Sequence, residues 1–137
     1  MKRIAFAAVV VLAGCNPPSS SPQQPKPVAM TVLPSTQEIA GRYDDHSIRT
    51  SLKKTLVLRE DGSFTFTTIE TSQQPKTLTG TWAARQIPAS GMLELKVTPF
   101  FMPDGKTPVD SLAMPIESCS GVLCFTNSDA GVFVRVP

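Results

Sequence analysis

Apolar and polar residues alternate along most of the chain from position 37 onward. The clearest run is 92–97, in which Leu93, Leu95 and Val97 alternate with Glu94 and Lys96. No window of 11 or more residues there has apolar residues at the spacing of a helix face. A period of two is typical of strands that bury one face. The pattern therefore predicts an all-β domain over 37–137, with little helix.

The strongest hairpin signal joins the apolar runs 56–58 and 64–66 across the sequence Arg59-Glu60-Asp61-Gly62-Ser63. A two-residue turn would place the leucines opposite threonines and would split the apolar face. A three-residue loop over 60–62, with its glycine in the left-handed conformation, places the two leucines opposite the two phenylalanines. We predict the three-residue loop, because a slip of one residue would turn the apolar face to water.

Other alternating runs are separated by glycine, proline and Asp-Gly signals. They predict further strands over 41–49, 77–84, 92–97, 109–116, 122–126 and 132–136. Gly80, beside Trp82 in one of these strands, indicates a bend or close packing. Short strands at this spacing predict a small antiparallel up-and-down barrel or sandwich of about seven to eight strands. A barrel is favoured, because it leaves no open sheet edge.

Four short motifs occur along this pattern. They are Gly41-x-Tyr43, Leu56-x-Leu58-x-x-Asp61-Gly62-x-Phe64, Gly80-Thr81-Trp82 and Leu93-x-Leu95. Their order resembles the small lipocalin-like barrel domains of bacterial envelope lipoproteins, the NlpE N-terminal-like family. The resemblance implies a lipocalin-like barrel. That family has a Cys-x-x-Cys soon after its first strand, whereas this chain has no cysteine between Tyr43 and Ile48. A copper or redox role is therefore not carried over.

The chain begins with two cations, Lys2 and Arg3, an apolar run over 4–12 and then small residues. This is the pattern of a secretory signal, and it is shorter than the roughly 20 apolar residues of a transmembrane helix. Its end, Leu12-Ala13-Gly14-Cys15, resembles the lipobox of bacterial lipoproteins. The resemblance implies a signal peptide over 1–14 and an acylated Cys15 that anchors the chain to the cell envelope. The alternative is a soluble secreted protein, cut before an ordinary cysteine.

The residue after the cysteine is Asn16, which is not the aspartate that retains many lipoproteins in the inner membrane. We therefore expect the outer membrane, at its periplasmic face or surface. Residues 15–36 are rich in proline, serine and glutamine and are interpreted as a tether. The run 28–33 is more apolar and is a candidate first strand.

Removal of the signal peptide changes the charge balance. The precursor has thirteen Lys and Arg residues against eleven acidic residues, so the loss of Lys2 and Arg3 leaves eleven against eleven. The formal net charge then falls from +2 to zero. A neutral domain with no basic cluster is not expected to bind nucleic acid.

Two cysteines remain in the domain, Cys119 and Cys124. Export favours a disulfide between them, and its short loop would contribute about 2 kcal/mol. The alternatives are a redox pair and thiolate metal ligands, but neither has the usual Cys-x-x-Cys spacing nor a third ligand nearby.

The only histidine, His46, follows Asp44 and Asp45. Neighbouring residues of a strand point to opposite faces, so that only Asp44 and His46 could converge, which is too few ligands for a metal. We interpret the three residues as a solvated loop. No nucleophile motif or glycosidase carboxylate pair stands out, so neither an enzyme nor a cofactor is expected.

Phe100, Phe101 and Met102 are three consecutive large apolar residues beside prolines. They cannot all point inward from one strand. They are either core residues of a lid over the barrel or exposed anchors for a partner.

Taken together, these features predict a lipid-anchored, non-catalytic envelope protein whose β domain binds another envelope component, with a protein as the first choice. The alternative is an inhibitor or immunity protein against a lysozyme-like cell-wall hydrolase. Lysozyme-inhibiting lipoproteins share the lipobox, the compact β domain and the disulfide, but their Ser-Gly-x-x-Tyr motif is not met, since Glu94 follows Ser90-Gly91 at the tyrosine position. A third hypothesis is that the protein carries a small apolar ligand, which requires a hollow barrel.

Overall fold

The alternating runs close into a β-barrel. The computed structural model describes residues 26–47, 51–101, 108–128 and 130–137. Within these ranges the elements, in chain order, are β1 (Pro27–Ala29), α1 (Thr36–Ile39), β2 (Gly41–Asp45), β3 (Leu52–Leu58), β4 (Ser63–Glu70), β5 (Lys76–Gln86), β6 (Leu93–Thr98), β7 (Phe100–Phe101), β8 (Pro108–Val109), β9 (Leu112–Cys119), β10 (Val122–Asn127) and β11 (Gly131–Arg135).

Eight of the described strands form the barrel wall. They follow the order β2-β3-β4-β5-β6-β9-β10-β11, each antiparallel to the next, and β11 pairs with β2 to close the ring. This confirms the prediction of an all-β, up-and-down barrel. Strands β7 and β8 form a separate ribbon between β6 and β9. Strand β1 pairs with the end of β9, beyond the residues that β6 occupies. A first strand is therefore present, but it covers only positions 28 and 29 of the candidate run 28–33.

The β3–β4 hairpin has the predicted register. Leu58 lies opposite Phe64, and the next inward pair also joins a leucine to a phenylalanine. The Arg59 N–H donates to the Ser63 carbonyl at 2.9 Å. Gly62 has a φ of 82°, the left-handed conformation that a three-residue loop requires. Parity of the apolar positions was therefore sufficient to choose the loop.

Three of the predicted strands have a bound that differs from the structure by two or more residues. The strand predicted over 41–49 is β2, which ends at Asp45. Strand β5 continues to Gln86, two residues past the predicted end, because it pairs there with Leu93 of β6. The predicted strand 109–116 is wrong at its start, where Val109 belongs to β8 and β9 begins at Leu112. These two residues are an odd number apart, so a single strand would direct them to opposite faces. The bend between them lets both pack against the core.

Aromatic side chains make up much of the described core of the barrel. Those that are buried in the main core are Tyr43, Phe64, Phe66, Trp82, Phe100, Phe125 and Phe133. Phe66 contacts two other rings, with centroids 5.1 Å and 5.9 Å apart. Gly80 lies where a Cβ atom would approach the Thr98 carbonyl oxygen to 2.3 Å, which confirms close packing at this glycine.

The folded unit begins before position 37, the predicted start of the domain. Strand β1 and the helix α1 both include residues of the predicted tether. The helix is a single turn that begins with a capping box. The Ser35 side chain accepts from the Glu38 N–H, and the Glu38 side chain accepts from the Ser35 N–H. The described part of the predicted tether is therefore part of the barrel structure.

Candidate functional site

A groove opens at one end of the barrel, between the segment that leads into α1 and the β3–β4 loop. It has a volume of about 630 Å³. Its lining consists of residues 33–36 and Ile39 on one side, Glu60, Asp61 and Gly62 on the other, and residues 82–84 of β5 along its floor. We call this feature the end groove and this end of the barrel the groove end.

One wall of the end groove is held by the capping box of α1. The Ser35 N–H and hydroxyl donate to the Glu38 carboxylate at 2.7 Å and 2.8 Å, and the Glu38 N–H donates back to Ser35 Oγ at 3.3 Å. These bonds satisfy N–H groups that a helix start leaves free. The Ser-x-x-Glu spacing was visible in the sequence and could have predicted this turn.

The other end of α1 is tied to the barrel. The Tyr43 hydroxyl donates to the Ile39 carbonyl at 2.6 Å, and the Arg135 guanidinium donates to the carbonyls of Glu38 and Ala40. The Ile39 side chain is 1% exposed and belongs to the main core. A helix of one turn is marginal alone, so these contacts fix its position.

The opposite wall is the loop over 60–62, and it is fixed by β5. The Trp82 indole N–H donates to the Arg59 carbonyl at 2.8 Å, and its backbone N–H donates to the Gly62 carbonyl at 2.7 Å. The Ser63 N–H donates to Asp61 Oδ1 at 2.8 Å. The loop is thus exposed at its tip and hydrogen-bonded at its base.

The end groove is acidic. Glu60 and Asp61 line it, Glu38 lies beside it on α1, and none of the lining residues is a lysine or arginine. Hydrogen bonds from Ser63 lower the pKa of the Asp61 carboxyl, and hydrogen bonds from Ser35 lower the pKa of the Glu38 carboxyl. Both carboxylates therefore remain charged well below neutral pH. Leu33 adds an apolar side chain that is 38% exposed.

The far end of the barrel has a buried ion pair instead. Lys54 Nζ lies 3.2 Å from Asp45 Oδ2, and both side chains are almost fully buried. The lysine also donates to the Ala130 carbonyl at 2.7 Å. Asp45 Oδ1 accepts from the N–H groups of Ser47 and Val132 at 2.9 Å and 3.1 Å. The pair is enclosed by the barrel, which makes it structural rather than a binding site.

This ion pair corrects the interpretation of the Asp44-Asp45-His46 cluster as a solvated loop. Both aspartates belong to β2, and Asp45 points inward. Asp44 forms an ion pair with Arg42 at 3.0 Å on the outer side, and His46 is exposed. The structure does not bring the three together at one site. Among the described residues, no group of three or more His, Cys, Asp or Glu side chains is arranged to hold a metal ion.

The predicted disulfide is confirmed. Cys119 and Cys124 are bonded across the β9–β10 turn, with their Cα atoms 5.7 Å apart. They form a small buried cluster with Val134, separate from the main core. The disulfide links β9 to β10 at the groove end, and neither cysteine lines the end groove.

Phe100 is a core residue. It is 1% exposed and its ring packs against Phe66. For Phe100, the structure therefore favours the core alternative over the partner contact. The Phe101 side chain and Met102 lie outside the described residues, as does Cys15.

The end groove was not predicted from the sequence. Its two walls and its floor come from three segments that are far apart in the chain, and only their spatial arrangement creates it. No helix among the described residues is long and apolar enough to cross a membrane. Comparisons with protein-family models, with curated proteins and with solved structures gave no match.

Proposed function

We propose that this chain is a lipid-anchored, non-catalytic protein of the cell envelope and that its barrel binds another envelope protein through the end groove. The observation that carries this proposal is the end groove itself, which has a volume of about 630 Å³. It combines an exposed leucine, fixed walls and the exposed carboxylates of Glu60 and Asp61. A concave surface of mixed apolar and charged character is typical of a recognition site.

The position of the tether supports the same site. Strand β1 begins with Pro27, opposite Cys119 and beside the β9–β10 turn at the groove end. If Cys15 is acylated, the eleven residues 16–26 connect the lipid to this end, and they reach about 34 Å as polyproline II. The anchor then joins the barrel at the end that carries the groove. A partner that is itself close to the membrane surface fits this arrangement.

The chemistry of the end groove supports binding rather than catalysis. Its lining includes no histidine or cysteine. The hydroxyl of Ser35 is engaged with Glu38 in the capping box. The only histidine of the chain lies at the far end of the barrel and is exposed.

One observation favours the inhibitor alternative as a second candidate. An inhibitory loop must project and stay rigid, and the loop over 60–62 is exposed at its tip while Trp82 and Ser63 hold its base. Such a loop could enter the active-site cleft of a cell-wall hydrolase. The two candidates share one surface and differ in what the partner does when bound.

The test is site-specific photo-cross-linking in intact cells. A photoreactive amino acid replaces Leu33 in the end groove or, as the matched control, Ile69 in β4, which is 42% exposed and lies at the far end. We expect a cross-linked envelope protein from position 33 and none from position 69. Equal cross-linking from both positions, or none from either, would contradict the proposed site.

Two further measurements separate the parts of the proposal. Labelled palmitate should enter the wild-type chain and not Cys15→Ser, and a wild-type chain without label would overturn the anchor. If the cross-linked partner is a hydrolase and the complex is inactive, the inhibitor replaces the simple binding protein as the function.

A further inference from the structure

Strand β5 runs past the end of its neighbour β4. Ser63, the first residue of β4, lies opposite Thr81, so the five residues of β5 from Trp82 to Gln86 have no β4 residue opposite them. The loop before β4 reaches only the first of these, where the Gly62 carbonyl accepts from the Trp82 N–H. From position 83 to 86, the described sheet continues on one side of β5 only.

The register fixes which backbone groups face the open side. In β5 the even-numbered residues bond toward β4, as the Trp82 N–H does, and the odd-numbered residues bond toward β6, as the N–H of Ile87 does with the carbonyl of Met92. Successive residues of a strand direct their N–H and C=O groups to opposite sides. Ala84 and Gln86 therefore direct theirs away from β6. No hydrogen bond from the described residues reaches these four groups.

This open edge begins in the end groove, where Ala84 is part of the floor, and continues past the lining residues to Gln86. We propose that the free edge of β5 at Ala84 and Gln86 accepts an extended, cationic peptide segment of a partner protein as an additional strand. This inference rests on the proposed function, and it names how the partner of the end groove is bound.

Backbone chemistry supports strand addition. An unpaired strand edge is a template for another chain, and proteins usually protect it with proline, lysine or a covering element. Residues 83–86 include no proline, and their one cation, Arg85, forms an ion pair with Glu94 of β6 at 2.9 Å. The edge spans about 13 Å, which suits a segment of four residues. Binding of this kind draws its affinity from main-chain hydrogen bonds and its specificity from alternate side chains.

The charge of the walls selects the occupant. The carboxylates of Glu60 and Asp61 line the end groove, and none of the lining residues is a lysine or arginine. Arg59, just outside the lining, already interacts electrostatically with Asp61, so Glu60 is the carboxylate that a cation on the added strand would meet first. The small side chain of Ala84 points to the same face as Trp82. Ala84 packs against the main core there, so a residue of the segment that lies opposite it would face the core side, where an apolar side chain is suited. A segment in which cations and β-branched residues alternate fits both features.

The first experiment uses the full chain as cells produce it, in detergent, and a synthetic peptide of three Lys-Val repeats as the probe. Residue-level amide hydrogen exchange is measured by NMR with and without the peptide. We expect exchange at Ala84 and Gln86 to slow at least tenfold. The amides of Ala83 and Arg85 are the internal control, since they already bond to β6. Binding without this protection, or no binding up to about 1 mM peptide, would overturn the inference.

The second experiment uses variants of the edge. Ala84→Pro removes the N–H donor but none of the bonds to β6, and proline is tolerated at a strand edge. Ala84→Val keeps the donor and is the matched control. We expect at least tenfold weaker peptide binding for Ala84→Pro than for Ala84→Val, with the melting temperature of each reported beside it. If Ala84→Pro does not fold, the exchange measurement on the unmodified chain decides alone.

The third experiment tests the charge. The paired substitutions Glu60→Gln and Asp61→Asn keep their oxygens as acceptors, so the loop over 60–62 retains its bond from Ser63. Glu70→Gln, an exposed acid at the other end of β4, is the control. We expect the paired variant to bind the Lys-Val peptide at least fivefold more weakly and to lose its preference over a Glu-Val peptide. An unchanged preference would overturn the cationic character of the segment.

These results are distinguishable from a failure of the proposed function. If a partner cross-links at position 33 equally well in wild-type and Ala84→Pro chains, the end groove is the site but strand addition is wrong. If no partner cross-links, the proposed function fails, while the protection of Ala84 still decides whether the edge accepts a strand.

Discussion

The two ends of the barrel are closed by different means. At the far end, Lys54 and Asp45 point inward and form an ion pair at 3.2 Å, and the lysine also donates to the Ala130 carbonyl. At the groove end, the apolar side chain of Ile39 enters the core and α1 covers it. The charged pair of the far end is buried inside the fold, whereas the carboxylates of Glu60 and Asp61 at the groove end are exposed to solvent. We infer that the far end contributes stability and that the groove end contributes recognition.

The largest effect is expected from breaking the buried ion pair. Lys54→Met leaves the Asp45 carboxylate buried without its cation, which typically costs about 3–5 kcal/mol. Urea unfolding measures the loss in the free energy of unfolding. Lys53→Met, at the exposed neighbouring position, is the control and should change stability by less than about 0.5 kcal/mol.

The same variant tests the division of roles. Because Lys54 is remote from the end groove, any Lys54→Met chain that remains folded at low temperature should bind the Lys-Val peptide as the wild type does. Loss of peptide binding in a folded Lys54→Met chain would show that the far end also supports recognition.

The next largest loss of stability is expected from changing Ile39, whose buried side chain closes the core at the groove end and which we call the plug. Ile39→Ala removes a side chain that is 1% exposed, and such truncations cost about 2–5 kcal/mol. We expect about 3 kcal/mol, since the helix can settle partly into the space. Unlike Lys54→Met, this variant should also weaken peptide binding, because Ile39 lines the end groove. Full stability with unchanged binding would contradict the role of Ile39 as the plug.

The sequence predicted the barrel wall better than its ends. The β3–β4 register followed from parity, because one buried face leaves a single acceptable alignment. The same alternation places Asp45 on the inward face of β2 with Tyr43, and Lys54 on the inward face of β3 with Leu56. We nevertheless interpreted Asp45 as solvated, because a charged residue in a strand is usually outward. The pairing of the two inward charges depends on β2 lying beside β3, which local patterns do not specify.

The end groove was beyond prediction for a related reason. Its walls are brought together by the closure of the barrel, and the free edge of β5 exists because β6 is longer than β4 at this end. Strand lengths on the two sides of β5 are set by separate hairpins. A sequence pattern predicts the register of each hairpin, but it does not show how far a strand of one hairpin extends beyond a strand of the next.

A smaller, pH-dependent effect is expected at Tyr43, which anchors α1. Burial raises the pKa of its phenol to about 12, against a weaker opposing effect of Arg135. The raised pKa means that the fold favours the neutral form, so its contribution is complete below pH 10 and is lost as the pH rises from 10 to 12. Since the chain has one tyrosine, ultraviolet absorbance of tyrosinate reports this group alone.

The control for this titration is Tyr43→Phe, which keeps the ring and removes the hydroxyl. Its stability should be lower than that of the wild type at neutral pH, because the bond to the Ile39 carbonyl is lost. Between pH 10 and 12 it should lose less stability than the wild type does. A tyrosinate midpoint near pH 10 in the folded chain would contradict the burial of this hydroxyl.

The smallest effect is expected from the cap of α1, and it separates local order at the groove end from global stability. Ser35→Ala removes the side-chain acceptor for the Glu38 N–H, and loss of an N-cap costs about 1 kcal/mol. Because α1 is a single turn, the loss should appear as faster amide exchange at Glu38 and Ile39, with almost no change in exchange at the far end. Ser35→Thr, which keeps the oxygen, should restore slow exchange. Peptide binding should weaken only slightly, since Arg135 and Tyr43 still hold the C-terminal carbonyls of the helix. Faster exchange throughout the barrel would instead mean that the two ends unfold as one unit, and the roles of recognition and stability could not then be assigned to separate ends.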